Sequence, residues 1–104
     1  MNDKKLIEIM NVFANPRRMK IVEWLKDPTN NFPVQRDGDL VNDGVCIGFL
    51  TKKLGISQPS VTLHMKRLES TGLVSSKQIK NWVFYKLDQS VLDEFLSVLA
   101  KKMS

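Results

Sequence analysis

Between Ser57 and Gly72 the chain reads SQPSVTLHMKRLESTG, and its side chains sort at helical spacing. On a helical projection Ser60, Leu63, Lys66 and Arg67 share one face, Gln58 stands free at the start, and Thr62 and His64 flank. Val61, Met65 and Leu68 take the opposite face and read as core. Ser57 is a helix cap, Pro59 fits the first turn, and Gly72 ends the helix. The polar set suits a nucleic acid. Glutamine pairs bidentately with adenine, serine and threonine reach base or phosphate, and Leu63 or a threonine methyl meets the thymine methyl. Lys66 and Arg67 lie later in the helix, where a phosphate is the better-placed partner. The plain alternative is a solvated helix face.

Other chemistries find fewer residues. His64 is the only histidine, and nothing near it in the sequence supplies a Ser/His/Asp or Cys/His set, so an enzyme is the least favoured reading. His64 reads as a partly buried structural histidine. Cys46 reads as a small buried hydrophobe, with a redox-sensing thiol as the sharper alternative. Asp37, Asp39 and Asp43 lie in residues 28–44, PTNNFPVQRDGDLVNDG, but their spacing misses the calcium-loop pattern and no glutamate closes it. Trp82, Phe84 and Tyr85 read as strand packing, with base stacking as the minor alternative.

The elements that must position these residues follow from length and pattern. A chain of 104 residues, 42% hydrophobic and 26% charged, is one ordinary globular domain. One cysteine excludes an internal disulfide. No apolar run reaches membrane-spanning length, and MNDKKLIEIM lacks a signal-peptide core, so a cytoplasmic protein is expected. The net charge of +5 is unevenly placed. Residues 57–87 carry Lys66, Arg67, Lys77, Lys80 and Lys86 against Glu69, whereas 27–44 carry four aspartates against Arg36. The basic part suits a polyanion.

Residues 3–14 predict a helix capped by Asp3, with Leu6, Ile9, Met10 and Phe13 as its stripe. Asn15 and Pro16 open a second helix over 16–26, with Met19, Val22 and Leu25 or Ile21 and Leu25 inward, and Asp27-Pro28 closes it. The 28–44 connection predicts no helix, and its Asp37-Gly38 pair suits a hairpin turn. A short strand at Val45-Cys46, a helix over 47–54, the Gly55 turn and the Ser57 helix make a helix-turn-helix. Residues 74–87 alternate as two strands with a tip near Lys80-Asn81. Val83, Tyr85 and Leu87 are expected on one side and Trp82, Phe84 and Lys86 on the other. A last helix from Asp88 or Ser90 is apolar over more than one stripe, as is the first, which calls for either a second subunit or a deeply buried helix.

Three blocks, ANPRRMKIVEWL, LTKKLGISQPSVTLHMKRLESTGLV and NWVFYKL, resemble the ArsR-type winged helix-turn-helix regulators. The likeness spans most of the chain outside 28–44. It implies an α+β, mainly α fold: a winged helix-turn-helix with a two-stranded wing and N- and C-terminal dimerisation helices. The function implied is double-stranded DNA binding by a homodimer, more often repressing than activating, without a cofactor and with an inducer that the residues do not name. The DNA contacts implied are Ser57, Gln58, Ser60, Thr62, Leu63, Lys66 and Arg67, with Lys77, Lys80 and Asn81 on the wing. Lys80 gripping a phosphate is the modest form of a wing contact, and Arg17 and Arg18 are either backbone contacts or solvated. The dimer interface implied is Leu6, Ile9, Met10, Phe13, Leu92, Phe95, Leu96 and Leu99. The family's metal motif, Cys-x-Cys or Cys-x-Gly, is here Cys46, Ile47 and Gly48, and the last helix has no histidine, so neither usual metal site can be built. The rival readings are a protein-interaction module, a single-strand RNA binder and a thiol-responsive regulator acting through Cys46.

Overall fold

The computed structural model describes all 104 residues. Helix α1 spans Asp3–Phe13. Its cap is Asn2 rather than Asp3: the Asn2 side chain accepts from the Lys5 N–H at 2.9 Å. Asp3 instead pairs with Lys102 at 2.8 Å. The inward residues are Leu6, Ile9 and Val12, so Val12 takes the place expected for Met10. Helix α2, Pro16–Lys26, starts as its sequence predicts, with the Asn15 carboxamide accepting from the N–H groups of Arg17 and Arg18 at 3.0 and 3.2 Å. Ile21, Val22 and Leu25 are buried, but Met19, expected inside, is 43% exposed.

The 28–44 connection is more ordered than expected. Pro28–Asn31 forms a single helical turn, α3, where no helix was predicted. Local side chains stabilise it: Asn30 donates to the Asp27 carboxylate at 2.8 Å and Asn31 to the Asp27 carbonyl at 2.7 Å. Phe32 then enters the core, edge-on to Trp24 and stacked on Phe49. No hairpin forms at Asp37-Gly38. Instead the Gln35 amide donates to the carbonyls of Gly38 and Gly44 and accepts from the Cys46 N–H at 2.7 Å, and the Asp39 carboxylate caps a turn at Val41 and Asn42.

Strands β1 (Val45–Cys46), β2 (Val74–Ile79) and β3 (Trp82–Leu87) form an antiparallel sheet in the order β1-β3-β2. The two-stranded wing, β2 and β3, is joined at its base by β1, because Val45 and Cys46 pair with Tyr85 and Phe84. Both sides of β3 are covered: neighbours Phe84 and Tyr85 are both buried. The 33–44 loop covers the second face. Gly44, at φ +106°, lets this backbone lie against the Tyr85 carbonyl, where a Cβ would collide. A marginal ribbon thereby becomes part of the fold.

Helices α4 (Ile47–Leu54) and α5 (Gln58–Ser70) are the helix-turn-helix pair, and α6 (Gln89–Met103) closes the chain. Gly55, at φ +68°, makes the left-handed turn between α4 and α5. The Asp88 side chain caps α6 through the N–H groups of Ser90 and Val91. The core runs through the middle of the molecule: Ile9, Ile21, Leu50, Val61, Met65, Leu68 and Leu73 are fully buried. Burying three α5 residues against α2 and α4 fixes which side of α5 meets solvent.

Candidate nucleic-acid interface

Helix α5 starts at Ser57, whose hydroxyl lies 2.9 Å from that of Ser60 and accepts weakly from the Ser60 N–H at 3.4 Å. These two hydroxyls serve first to cap the helix. At the other end the Thr71 hydroxyl donates to the Leu68 carbonyl at 2.8 Å and accepts from the Leu73 N–H at 3.4 Å. Thr71, not singled out from the sequence, thus replaces the backbone bond that a Schellman cap would give to Leu73. With both ends fixed, Gln58, Leu63, Lys66 and Arg67 are exposed, Thr62 and Ser60 half-buried. Leu63 is 66% exposed.

A cleft of about 400 Å³ lies beside this face, lined by Arg18, Leu63, His64, Lys66, Arg67 and Ser70. Arg18 enters it from α2. Its Nε donates to the Val12 carbonyl at 2.8 Å, and Nη1 lies 3.4 Å from His64 Nδ1. A guanidinium only donates, so Nδ1 accepts and His64 is held neutral. Burial, then the charges of Arg18 and Arg17, push the His64 pKa down. Burial and the nearby Arg67 push that of Arg18 down. No carboxylate forms an ion pair with Arg18, Lys66 or Arg67. The cleft is a cation-rich recess without a resident counter-charge. Sequence spacing places Arg18 at a helix start but gives no sign of its partner 46 residues away.

The wing lysines stand differently. Lys77 Nζ lies 2.6 Å from Asp43 Oδ1, and Lys80 Nζ lies 2.9 Å from Asp37 Oδ1. Lys80 also occupies the tip at φ +55°, the one residue other than glycine with a positive φ. Asn81 beside it is exposed. Cys46 is half-buried and lines a separate cavity of about 280 Å³ with Gln35, Asp37, Phe49, Trp82 and Phe84. Phe84 and Tyr85 are buried, and only Trp82, 46% exposed, could offer a ring to a base. No three of the His, Cys, Asp and Glu side chains come together as metal ligands.

Of the side chains expected at a subunit interface, Leu6 and Ile9 lie in the chain's own core, and Leu92 and Phe95, also buried, line the floor of a groove. Met10 and Leu96 are 40% and 51% exposed, and Phe13 and Leu99 are partly covered. With Met19 they line an apolar groove of about 480 Å³ between α1, α2 and α6.

No protein-family model matches the chain. In sequence it is 28% identical over 93 residues to the HTH-type transcriptional regulator YbzH of Bacillus subtilis, spanning 89% of this chain and 93% of that one. It is 24% identical over 98 residues to the transcriptional activator HlyU of Vibrio cholerae, spanning 94% of this chain and 77% of that one. The structure of HlyU covers 100% of both chains with a TM-score of 0.67 at 23% identity. The homodimeric winged helix-turn-helix DNA-binding domain of a possible ArsR-family transcriptional regulator from Mycobacterium bovis superposes with a TM-score of 0.67 at 17% identity, covering 99% of this chain and 90% of that one. The chain has the winged helix-turn-helix fold of these ArsR-type regulators, and its sequence relatives are HTH-type transcriptional regulators. In ArsR-type terms α4 and α5 are its helix-turn-helix and β2 and β3 its wing. No helix of the chain is long and apolar enough to cross a membrane.

Proposed function

We propose that the protein is a homodimeric, sequence-specific regulator that binds double-stranded DNA in the cytoplasm through α5 and represses by occupying its operator. The observation that carries this reading is the exposed face of α5: Gln58, Leu63, Lys66 and Arg67 stand in solvent beside a cation-rich cleft with no carboxylate in it. Gln58 and Leu63 suit base edges, and Arg18, Lys66 and Arg67 suit phosphates on either side. The apolar groove between α1, α2 and α6 supports the dimer. Two α5 helices related by a two-fold would read half-sites about 10 base pairs apart. If each protomer neutralises about four phosphates, log affinity falls with log salt at a slope near −7.

Selection of genomic fragments with the purified protein tests this reading. A pseudo-palindromic site with that salt slope is the expected result; binding that ignores salt, or no binding to any duplex, would sink it. A reporter under the selected site reads the sign: loss of the protein should raise expression. A thiol-responsive form of the same function has one observation in its favour. Cys46 lines the cavity that wing residues Trp82 and Phe84 also line, so an adduct there would press on the wing. Repeating the selection with oxidant, and with Cys46→Ser, separates the two forms.

A further inference from the structure

We propose that Asp37 and Asp43 act as built-in substitutes for DNA phosphates: they occupy the two wing lysines, lower the sequence-independent affinity for DNA, and leave selectivity to α5. This rests on the DNA-binding reading above. Lys77 donates to Asp43 at 2.6 Å and Lys80 to Asp37 at 2.9 Å. The pairs are asymmetric. The lysine side chains are 59% and 71% exposed, their carboxylates only 22% and 24%. The acids are the fixed partners and the lysines reach to them.

The fixing is structural. The second oxygen of Asp43 accepts from the Asp39 N–H at 2.7 Å. Gly44 lies against the Tyr85 carbonyl, and a Cβ on Gly38 would stand 2.9 Å from the Phe84 ring. Gln35 ties Gly38, Gly44 and Cys46 together. The segment cannot swing away without uncovering Phe84, which is 1% exposed. The carboxylates therefore travel with the wing to any DNA it meets. A lysine that grips a phosphate must leave its aspartate, and the aspartate stays close enough to repel that phosphate. Exposed ion pairs are individually weak, so the effect is a reduction and not a block. Phosphate contacts carry no sequence information, so the reduction applies to all DNA alike. The contrast with Arg18, Lys66 and Arg67, which no carboxylate engages, is what assigns the neutralisation to the wing.

The test measures binding to the selected site and to random duplex from 50 to 200 mM salt, for four full-length proteins. These are the wild type, Asp37→Asn with Asp43→Asn, Lys77→Gln with Lys80→Gln, and all four changes together. The asparagine pair should bind both DNAs at least about tenfold more tightly at low salt, with a slope steeper by roughly 3 to 4, from two phosphates in each of two protomers. The glutamine pair should weaken the wild type by less than it weakens the asparagine variant, whose gain it should cancel. Circular dichroism checks that each variant is folded, and Asp37→Asn alone, which leaves the Asp39 contact intact, should give part of the gain. An unchanged slope in the asparagine variants, or glutamine changes that weaken the wild type as much as they weaken the asparagine variant, would overturn the proposal while leaving DNA binding in place. Failure of all four proteins to bind any duplex would overturn both.

Discussion

The most informative single contact is Arg18 against His64. A phosphate entering that cleft would reverse the balance that now keeps the imidazole neutral. Two opposite pH effects follow. In the folded protein the His64 pKa lies below its ordinary value of 6.5, so folding favours the neutral ring. The unfolded chain then binds the proton first, and stability present above about pH 6.5 is lost as pH falls below it. A phosphate instead favours the charged ring, so DNA affinity should rise over the same interval. Denaturant unfolding and DNA titration between pH 7.5 and 5.5 measure both trends, and His64→Gln should flatten both. Gln58 gives a second residue-scale expectation. Gln58→Ala should lose roughly 1–3 kcal/mol on the selected site and far less on random duplex. Equal losses on the two DNAs would mean that Gln58 only positions the helix. The residues of α5 were legible because they depend on near neighbours: a cap, a periodic face and a stop lie within one stretch. The roles of Arg18 and of Asp37 and Asp43 were not, because their partners lie 46, 43 and 34 residues away.

Among elements, the helices were read correctly where their ends carry local signals, and misread where a side chain from elsewhere decides. Asn15 and Pro16 start α2 on their own authority, and Asn15→Ala should lower stability by about 1 kcal/mol in urea unfolding. Met10 and Met19 fit an apolar stripe as well as Val12 and Ile21 do. Only the direction from which α5 and α6 approach separates them. The 28–44 segment was read as a free polar loop because its composition is that of a loop. Its attachment comes from Phe32, Gln35 and two glycines that admit the sheet, none of which shows as a periodic pattern. Gly44→Ala checks this attachment. The new Cβ would meet the Tyr85 carbonyl at a backbone angle that favours glycine, so a loss of at least about 1–3 kcal/mol is expected, with faster amide exchange in β1 and β3. Unchanged exchange would mean that the loop is not held to the sheet.

At the scale of the molecule, the core and the proposed partner face divide along α1. Leu6 and Ile9 sit inside, 4% and 0% exposed, so replacing either by alanine should cost about 2–5 kcal/mol and show in unfolding of the single chain. Met10 and Leu96 are half in solvent already. Met10→Lys with Leu96→Lys should leave circular dichroism unchanged and yield monomers in sedimentation, with loss of the palindrome-length footprint on DNA. A dimer that survives both charges would place the interface elsewhere. The first and last helices were recognisable from sequence as wider than one core needs, but the pattern could not say which residues face which way. An apolar residue looks the same whether its neighbour belongs to its own chain or to another.

The amide of Gln35 has a consequence for how such a protein can change over generations. By bonding Gly38, Gly44 and Cys46 it closes residues 36–44 into a ring separate from α5, the helix proposed to read bases. A substitution at position 37 or 43 would then alter how tightly the protein holds any DNA, and a substitution at position 58 or 63 would alter which DNA it prefers. Strength and choice are inherited on different stretches of the chain. A lineage could adjust its repertoire of bound sites by drifting in one while the other stays unchanged.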